Sequence, residues 1–184
     1  MTAFALKNTR ILFPSLINPR PSFNGDTQEY SFTLLIPKND PQVKAFENAY
    51  KEEVTSSLGP KARVRPFLKP EDKLSVLKDG DLKYEEVEDK KKDLYAPYKG
   101  HYYINLKKPA SKGEVKVVDE YKTPITTEED IPHGATVNVV LDLSAYKHPN
   151  FGNQFSVKPV VVQVIDKSTA ISGGVSPDGA LELL

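Results

Sequence analysis

Alternation is the clearest pattern along the chain. In Glu29–Ile36 the residues Tyr30, Phe32, Leu34 and Ile36 fall on one side at period two, which predicts a half-buried strand that Pro37 stops. Thr136–Tyr146 repeats the pattern with Val137, Val139, Leu141 and Leu143 inward. Phe4–Phe13, Glu114–Asp119 and Phe155–Ile165 read as further strands, the first ending at Pro14 before a proline-rich turn from Asn18 to Asp26. Only one segment shifts to helical spacing. Val43, Phe46, Tyr50 and Val54 predict a helix from about Pro41 to Leu58, with Asp40 as N-cap, Pro41 at the first helical position and Gly59 as its end. One amphipathic helix against many short strands predicts a mainly β fold, a barrel that the helix plugs or flanks.

Two stretches depart from this rhythm. Lys61–Leu68 reads as a short basic strand with Lys61, Arg63 and Arg65 on one face. Lys69–Asp93 is dominated by Lys, Glu and Asp around a turn at Leu77–Asp81, and reads as a solvated charged insertion. The Gly- and Ser-rich tail from Ser168 reads as flexible. The expected organisation is one domain over residues 1–167, with the insertion at about 69–93, and a tail over 168–184.

Composition narrows the function. The chain has no cysteine, which removes disulfides, thiolate nucleophiles and Cys-rich zinc sites. Lys+Arg and Asp+Glu are both 25, so any attraction for a polyanion must come from local segregation of charge. No run approaches the ~20 apolar residues that cross a bilayer, and Met1–Arg10 lacks the build of a secretion signal, so no membrane partner and a cytoplasmic location are expected. The histidines His101, His133 and His148 lie far apart, the acids bunch in Glu85–Asp93, and neither a Gly-x-Ser-x-Gly elbow nor a phosphate-cradling glycine loop occurs. No catalytic centre, metal or cofactor is expected on these grounds.

Tyr98–Lys108 carries the candidate chemistry. Alternation sends Tyr102, Ile104 and Leu106 to the core and Lys99, His101, Tyr103, Asn105 and Lys107 to the opposite face. Cations, an aromatic ring and an amide on rigid β-structure suit a flexible polyanion with flat bases, because charges follow phosphates and rings stack on bases at about 1–3 kcal/mol each. Lys7 and Arg10 on the first strand, the Lys61, Arg63 and Arg65 face, and Tyr146 and Lys147 before Phe151 could extend that surface. An ordinary solvated strand with edge lysines is the competing reading.

The order of motifs resembles a family of tailed-phage single-stranded DNA-binding proteins. The matching pieces are Glu29-Tyr-Ser-Phe-Thr-Leu-Leu-Ile-Pro-Lys-Asn-Asp40, Leu77-Lys-Asp-Gly-Asp81, Tyr98-Lys-Gly-His-Tyr-Tyr-Ile-Asn105, Val118-Asp119, and Ala145-Tyr146 leading into Asn150-Phe-Gly-Asn153. The resemblance implies an OB fold, an antiparallel Greek-key barrel, and sequence-independent binding of single-stranded DNA in phage replication, recombination or repair inside the infected bacterial host. Proteins of that functional type often end in a strongly acidic tail. Here Ser176–Leu184 holds only Asp178 and Glu182, so recruitment of replication or recombination partners through the tail would rest on Leu181, Leu183 and Leu184. A β-rich virion structural protein is the main alternative, and a nuclease a lesser one.

Overall fold

The computed structural model describes residues 1–171. Seven strands, β1 (Thr2–Pro21), β2 (Gln28–Pro37), β3 (Lys78–Asp79), β4 (His101–Pro109), β5 (Lys116–Val118), β6 (Thr136–His148) and β7 (Gly152–Asp166), form one sheet in the order β3-β4-β2-β1-β6-β7-β5. Neighbours are antiparallel except β5, which runs parallel to β7. Antiparallel steps from β4 through β2, β1 and β6 to β7 leave β4 and β7 running the same way, and these two strands approach to close the sheet on itself. The result is an OB-type barrel built from β1, β2, β4, β6 and β7, with a seam between β4 and β7.

The predicted inward faces hold. Tyr30, Phe32, Leu34 and Ile36 of β2 and Val137, Val139, Leu141 and Leu143 of β6 are all buried in one core. Helix α1 (Gln42–Leu58) packs on β6 and β1 and brings Phe46 against Phe4, with ring centroids 5.2 Å apart, and against Phe67 at 5.0 Å. Asp40 caps the helix from one residue further back than expected: its Oδ1 accepts the Gln42 N–H at 2.9 Å, and Pro41 sits just before the first helical residue. Glu53, on the same buried face, accepts from Thr2 Oγ1 (2.6 Å), Ser57 Oγ (2.9 Å), the Ala145 N–H (3.2 Å) and the Met1 amino group (3.1 Å). Burial alone would raise its carboxyl, but these donors outweigh it and hold the pKa at about 2.

Several expectations change. β1 does not end at Pro14 but continues to Pro21, because its register with β2 shifts between Leu12 and Ser15. A bulge leaves one residue outside the ladder, so a proline there removes no sheet hydrogen bond. No strand forms over residues 61–68, apart from a bridge between Leu68 and Leu77. Its alternation survives nonetheless: Lys61, Arg63 and Arg65 are exposed while Ala62 and Val64 pack on the core.

The stretch 69–93 is not merely solvated loop. It contains β3, helix α2 (Gly80–Glu86), a 3-10 turn at Asp89–Lys91 and the start of the short helix α3 (Lys92–Tyr95). Of the expected flexible tail, Thr169 and Ile171 are tied to the barrel through Arg10 Nη2 to the Thr169 carbonyl at 2.9 Å and the Ile171 N–H to the His133 carbonyl at 2.7 Å. The rest of it, with Asp178, Leu181, Glu182, Leu183 and Leu184, lies outside the described residues.

Candidate nucleic-acid interface

Strand β4 sorts its side chains as alternation requires. Ile104 and Leu106 are buried inward, and Tyr102 packs on the same core with the Lys38 ammonium 5.4 Å from its ring centroid. Tyr103 does point outward, but it is only 9% exposed rather than open to solvent. The Tyr98 ring meets it edge-on at 5.0 Å, and the two form a second small core with Leu12 and Leu35, flanked by Phe13 and Tyr95. Burial accordingly raises the pKa of both phenols. The expected stacking ring is therefore roofed, and the roof is residues 80–98.

This roof has a defined latch. Lys38 Nζ lies 2.8 Å from Asp79 Oδ1 and 2.7 Å from Asp81 Oδ2. Burial opposes its charge, yet the bonds to the two carboxylates prevail and hold the lysine above its ordinary pKa. Asp79 also caps α2 by accepting the Asp81 N–H at 2.8 Å, and Asp81 Oδ1 accepts the Gly100 N–H at 2.9 Å. A side chain at Gly80 would overlap the carbonyl oxygens of Tyr98 and His101, so only glycine lets α2 approach β4 this closely. Lys99 and His101 stand at this end of β4. The Lys99 ammonium is 4.3 Å from the Tyr84 ring centroid, and His101 Nδ1 donates to the Lys99 carbonyl at 2.7 Å.

The other end of β4 is open. Asn105 and Lys107 are exposed, and Asn105 Oδ1 accepts from Thr33 Oγ1 at 2.8 Å. Ser31, Thr33, Asn105, Lys107 and Phe13 line a shallow cleft across β4, β2 and β1. At Asn105 it adjoins a cleft of about 230 Å³ at the β4–β7 seam, which Arg65, Lys73, Lys78 and Ser75 also line. At Phe13 it adjoins a third cleft that holds Arg20, Glu128 and His133. Asn105 thus borders the first cleft and the seam cleft, and Phe13 the first and the third, so the three lie in a row across the strands and together make up the candidate groove.

Charge is concentrated at the seam end. Burial and the neighbouring charges of Arg65 and Lys83 lower the pKa of Lys78, with only Asp72 acting in the other direction. Among the described residues, Arg65, Lys73, Lys78 and Lys83 make no ion pair. Uncompensated cations gathered beside a groove raise the local concentration of anions.

The β6–β7 hairpin stands next to this end of the groove. Asn153 Nδ2 donates to the Arg63 carbonyl at 3.3 Å, joining the hairpin to the exposed Lys61, Arg63 and Arg65. At its tip Phe151 is 74% exposed, and His148 holds it: Nδ1 accepts the Phe151 N–H at 3.3 Å and the rings lie 4.8 Å apart. Tyr146 and Lys147 are exposed beside it. Of the predicted residues, Arg65, Asn105 and Lys107 line the groove, Tyr146, Lys147 and Phe151 stand on the neighbouring hairpin, and Lys61 and Arg63 are exposed in the segment that Asn153 joins to it.

Others are placed elsewhere. Lys7 lines a separate concavity with Lys116 and Lys122 that shares no residue with the groove. Arg10 directs Nε to the Gly134 carbonyl (3.3 Å) and Nη2 to that of Thr169, so its donors fasten the barrel. Sequence reasoning overlooked Lys73, Lys78, Phe13 and Arg20. The buried run Ser75-Val76-Leu77 ahead of Lys78 was the available signal that this charged stretch returns to the barrel. Among the described residues no group of three or more His, Asp or Glu side chains is placed to hold a metal ion, and no helix is long and apolar enough to cross a membrane.

Residues 2–182 match the family described as Enterobacter phage Enc34, ssDNA-binding protein. The chain belongs to this family. This Enc34-family chain is also 24% identical over 173 residues to protein p50 of Acyrthosiphon pisum secondary endosymbiont phage 1, a match covering 92% of the chain and 86% of the relative. Its fold is similar to that of the single-stranded DNA-binding protein from bacteriophage Enc34 solved in complex with ssDNA, with TM-score 0.67, 16% identity, and coverage of 90% of this chain and 86% of that one. It is also similar to gp2.5, a single-stranded DNA-binding protein encoded by bacteriophage T7, with TM-score 0.50, 18% identity, and coverage of 100% and 94%. At such identities the two structures establish a shared barrel, and the roles of individual residues in this family member rest on its own geometry.

Proposed function

We propose that the protein binds single-stranded DNA without sequence preference along the groove that runs from the seam cations across β4 and β2 to β1, and that it serves phage DNA replication, recombination or repair in the cytoplasm of the infected bacterium. The observation that carries this reading is the cluster of Arg65, Lys73 and Lys78, without an ion pair among the described residues, at the mouth of a groove lined by Ser31, Thr33 and Asn105 with Glu29 and Lys107 at its side. Phosphates would lie against the cations, and bases would meet Asn105, Thr33, Phe13 and the hairpin ring Phe151. Family membership supports the same reading. No catalytic step forms part of it.

The contacts proposed are mostly to the backbone, so affinity must fall with salt. If about four to six cations engage phosphates, log K falls against log salt with a slope of roughly −3 to −4 for a single strand. A gel shift with labelled oligo-dT and a matched duplex competitor across a salt series tests this. Salt-sensitive binding that the duplex displaces poorly is the expected result, and no binding at low salt would overturn the assignment.

A further inference from the structure

Two buried polar atoms on one wall of the groove have no partner among the described residues. His133 Nδ1 accepts the Phe13 N–H at 2.9 Å, which places the ring proton on Nε2, and Nε2 is buried without a hydrogen bond. Glu128 Oε1 accepts the N–H groups of Ile17 (2.7 Å) and Asn18 (2.9 Å), while its Oε2 is likewise buried and unpartnered. Buried donors and acceptors in folded proteins are almost always satisfied, because leaving one unpaired costs about 1–3 kcal/mol. Here a lone donor and a lone acceptor belong to residues lining the same cleft, about 610 Å³ in volume, with exposed Arg20 and Glu129 in its wall.

We propose that this cleft receives an unpaired nucleobase by its Watson–Crick edge, with His133 Nε2 donating, Glu128 Oε2 accepting and Arg20 meeting the adjoining phosphate. The inference rests on the single-strand reading above and deepens it. Every base carries a donor beside an acceptor on that edge, a ring N–H beside an exocyclic oxygen in thymine and guanine and the reverse order in adenine and cytosine, so each can meet both atoms, the latter two in the turned-over orientation. In a duplex the same edge is occupied by the pairing partner, and unstacked bases of a single strand are the ones that offer it. The subsite thus supplies a reason for the groove to refuse duplex that backbone contacts alone do not.

Phe13 packs against His133. Its ring lies 4.7 Å from that of His133, and its backbone sits at φ 50, in the left-handed region that bulky residues rarely occupy. Swinging that side chain would uncover the His133 donor. Phe13 also lines the adjoining cleft with Asn105 and Lys107, so a strand lying there would present its next base at this wall.

The test compares oligo-dT with the same oligomer built from N3-methylthymidine, which keeps the phosphates and the stacking face but loses the N3–H donor. Fluorescence anisotropy at fixed salt should show wild type binding the methylated strand about tenfold more weakly, the loss of roughly one hydrogen bond to a charged group. Glu128→Gln should bind oligo-dT with the lower affinity and lose most of its sensitivity to methylation. His133→Asn, which keeps an acceptor for the Phe13 N–H but lacks the distal donor, should weaken both strands alike and serves if Glu128→Gln fails to fold. Equal wild-type affinity for the two strands, with salt-sensitive oligo-dT binding intact, would sink the subsite and leave the functional reading standing. Absence of oligo-dT binding would remove both.

Discussion

Lys78 and Asp79 are adjacent in β3 and pair with Tyr103 and Tyr102 of β4, yet their side chains enter opposite surroundings. Asp79 faces the roofed end, where it caps α2 and pairs with Lys38 while Tyr103 lies buried beneath Tyr98. Lys78 faces the open end, where Arg65 and Lys83 lower its pKa after burial and no carboxylate pairs with it among the described residues. One end is neutralised and filled; the other keeps unpaired cations and an exposed amide. Uncompensated cations beside a groove raise the local concentration of anions, which is why the proposed phosphate contacts are placed at this end.

The largest expected effect lies at the roofed end. Tyr103→Ala should lower stability by about 3–5 kcal/mol in chemical denaturation, as removal of a buried aromatic does. Its effect on oligo-dT affinity of the folded protein should stay well below the ~1–3 kcal/mol of a lost base stack. A variant that folds normally and binds poorly would instead make Tyr103 a contact residue. At the open end, Arg65→Glu combined with Lys78→Glu should weaken oligo-dT binding by about 2–3 kcal/mol through lost charge-assisted contacts, with little change in stability. Undiminished affinity would move the interface away from the seam.

Smaller effects sharpen the contrast. Gly80→Ala should destabilise by about 1–3 kcal/mol, because the added methyl overlaps backbone carbonyls that cannot easily move. It should also raise iodide quenching of tyrosine fluorescence as the roof lifts; quenching equal to wild type would show that the roof does not depend on this approach. Lys38→Met should change stability by less than about 1 kcal/mol, since its pairs are partly exposed. The same variant should leave the salt dependence of binding untouched, and a shallower dependence would place Lys38 among the phosphate contacts.

Much of the barrel was legible in the sequence because strand periodicity is a local property. The inward faces of β2 and β6, the helix, and the opposite orientations of Tyr102 and Tyr103 all followed from spacing. What escaped depends on contacts between distant segments. Nothing local says that Tyr98 will fold back over Tyr103, or that a register shift will let β1 pass through Pro14. Glu53 sits on the buried face of α1 because donors from Thr2 and Ala145 reach it, which spacing alone cannot reveal. The candidate groove was half legible for the same reason: Arg65, Asn105 and Lys107, which line it, stand out by pattern, whereas Lys73 and Lys78 lie in a charged run whose return to the barrel is a tertiary fact.

The central claim is that phosphates are neutralised by the seam cations. Its most direct test is the slope of log K for oligo-dT against log salt, measured for wild type and for Arg65→Ala, Lys73→Ala and Lys78→Ala combined. If all three residues meet phosphates, the variant's slope should be shallower by about 2. A folded variant with the wild-type slope would contradict the claim.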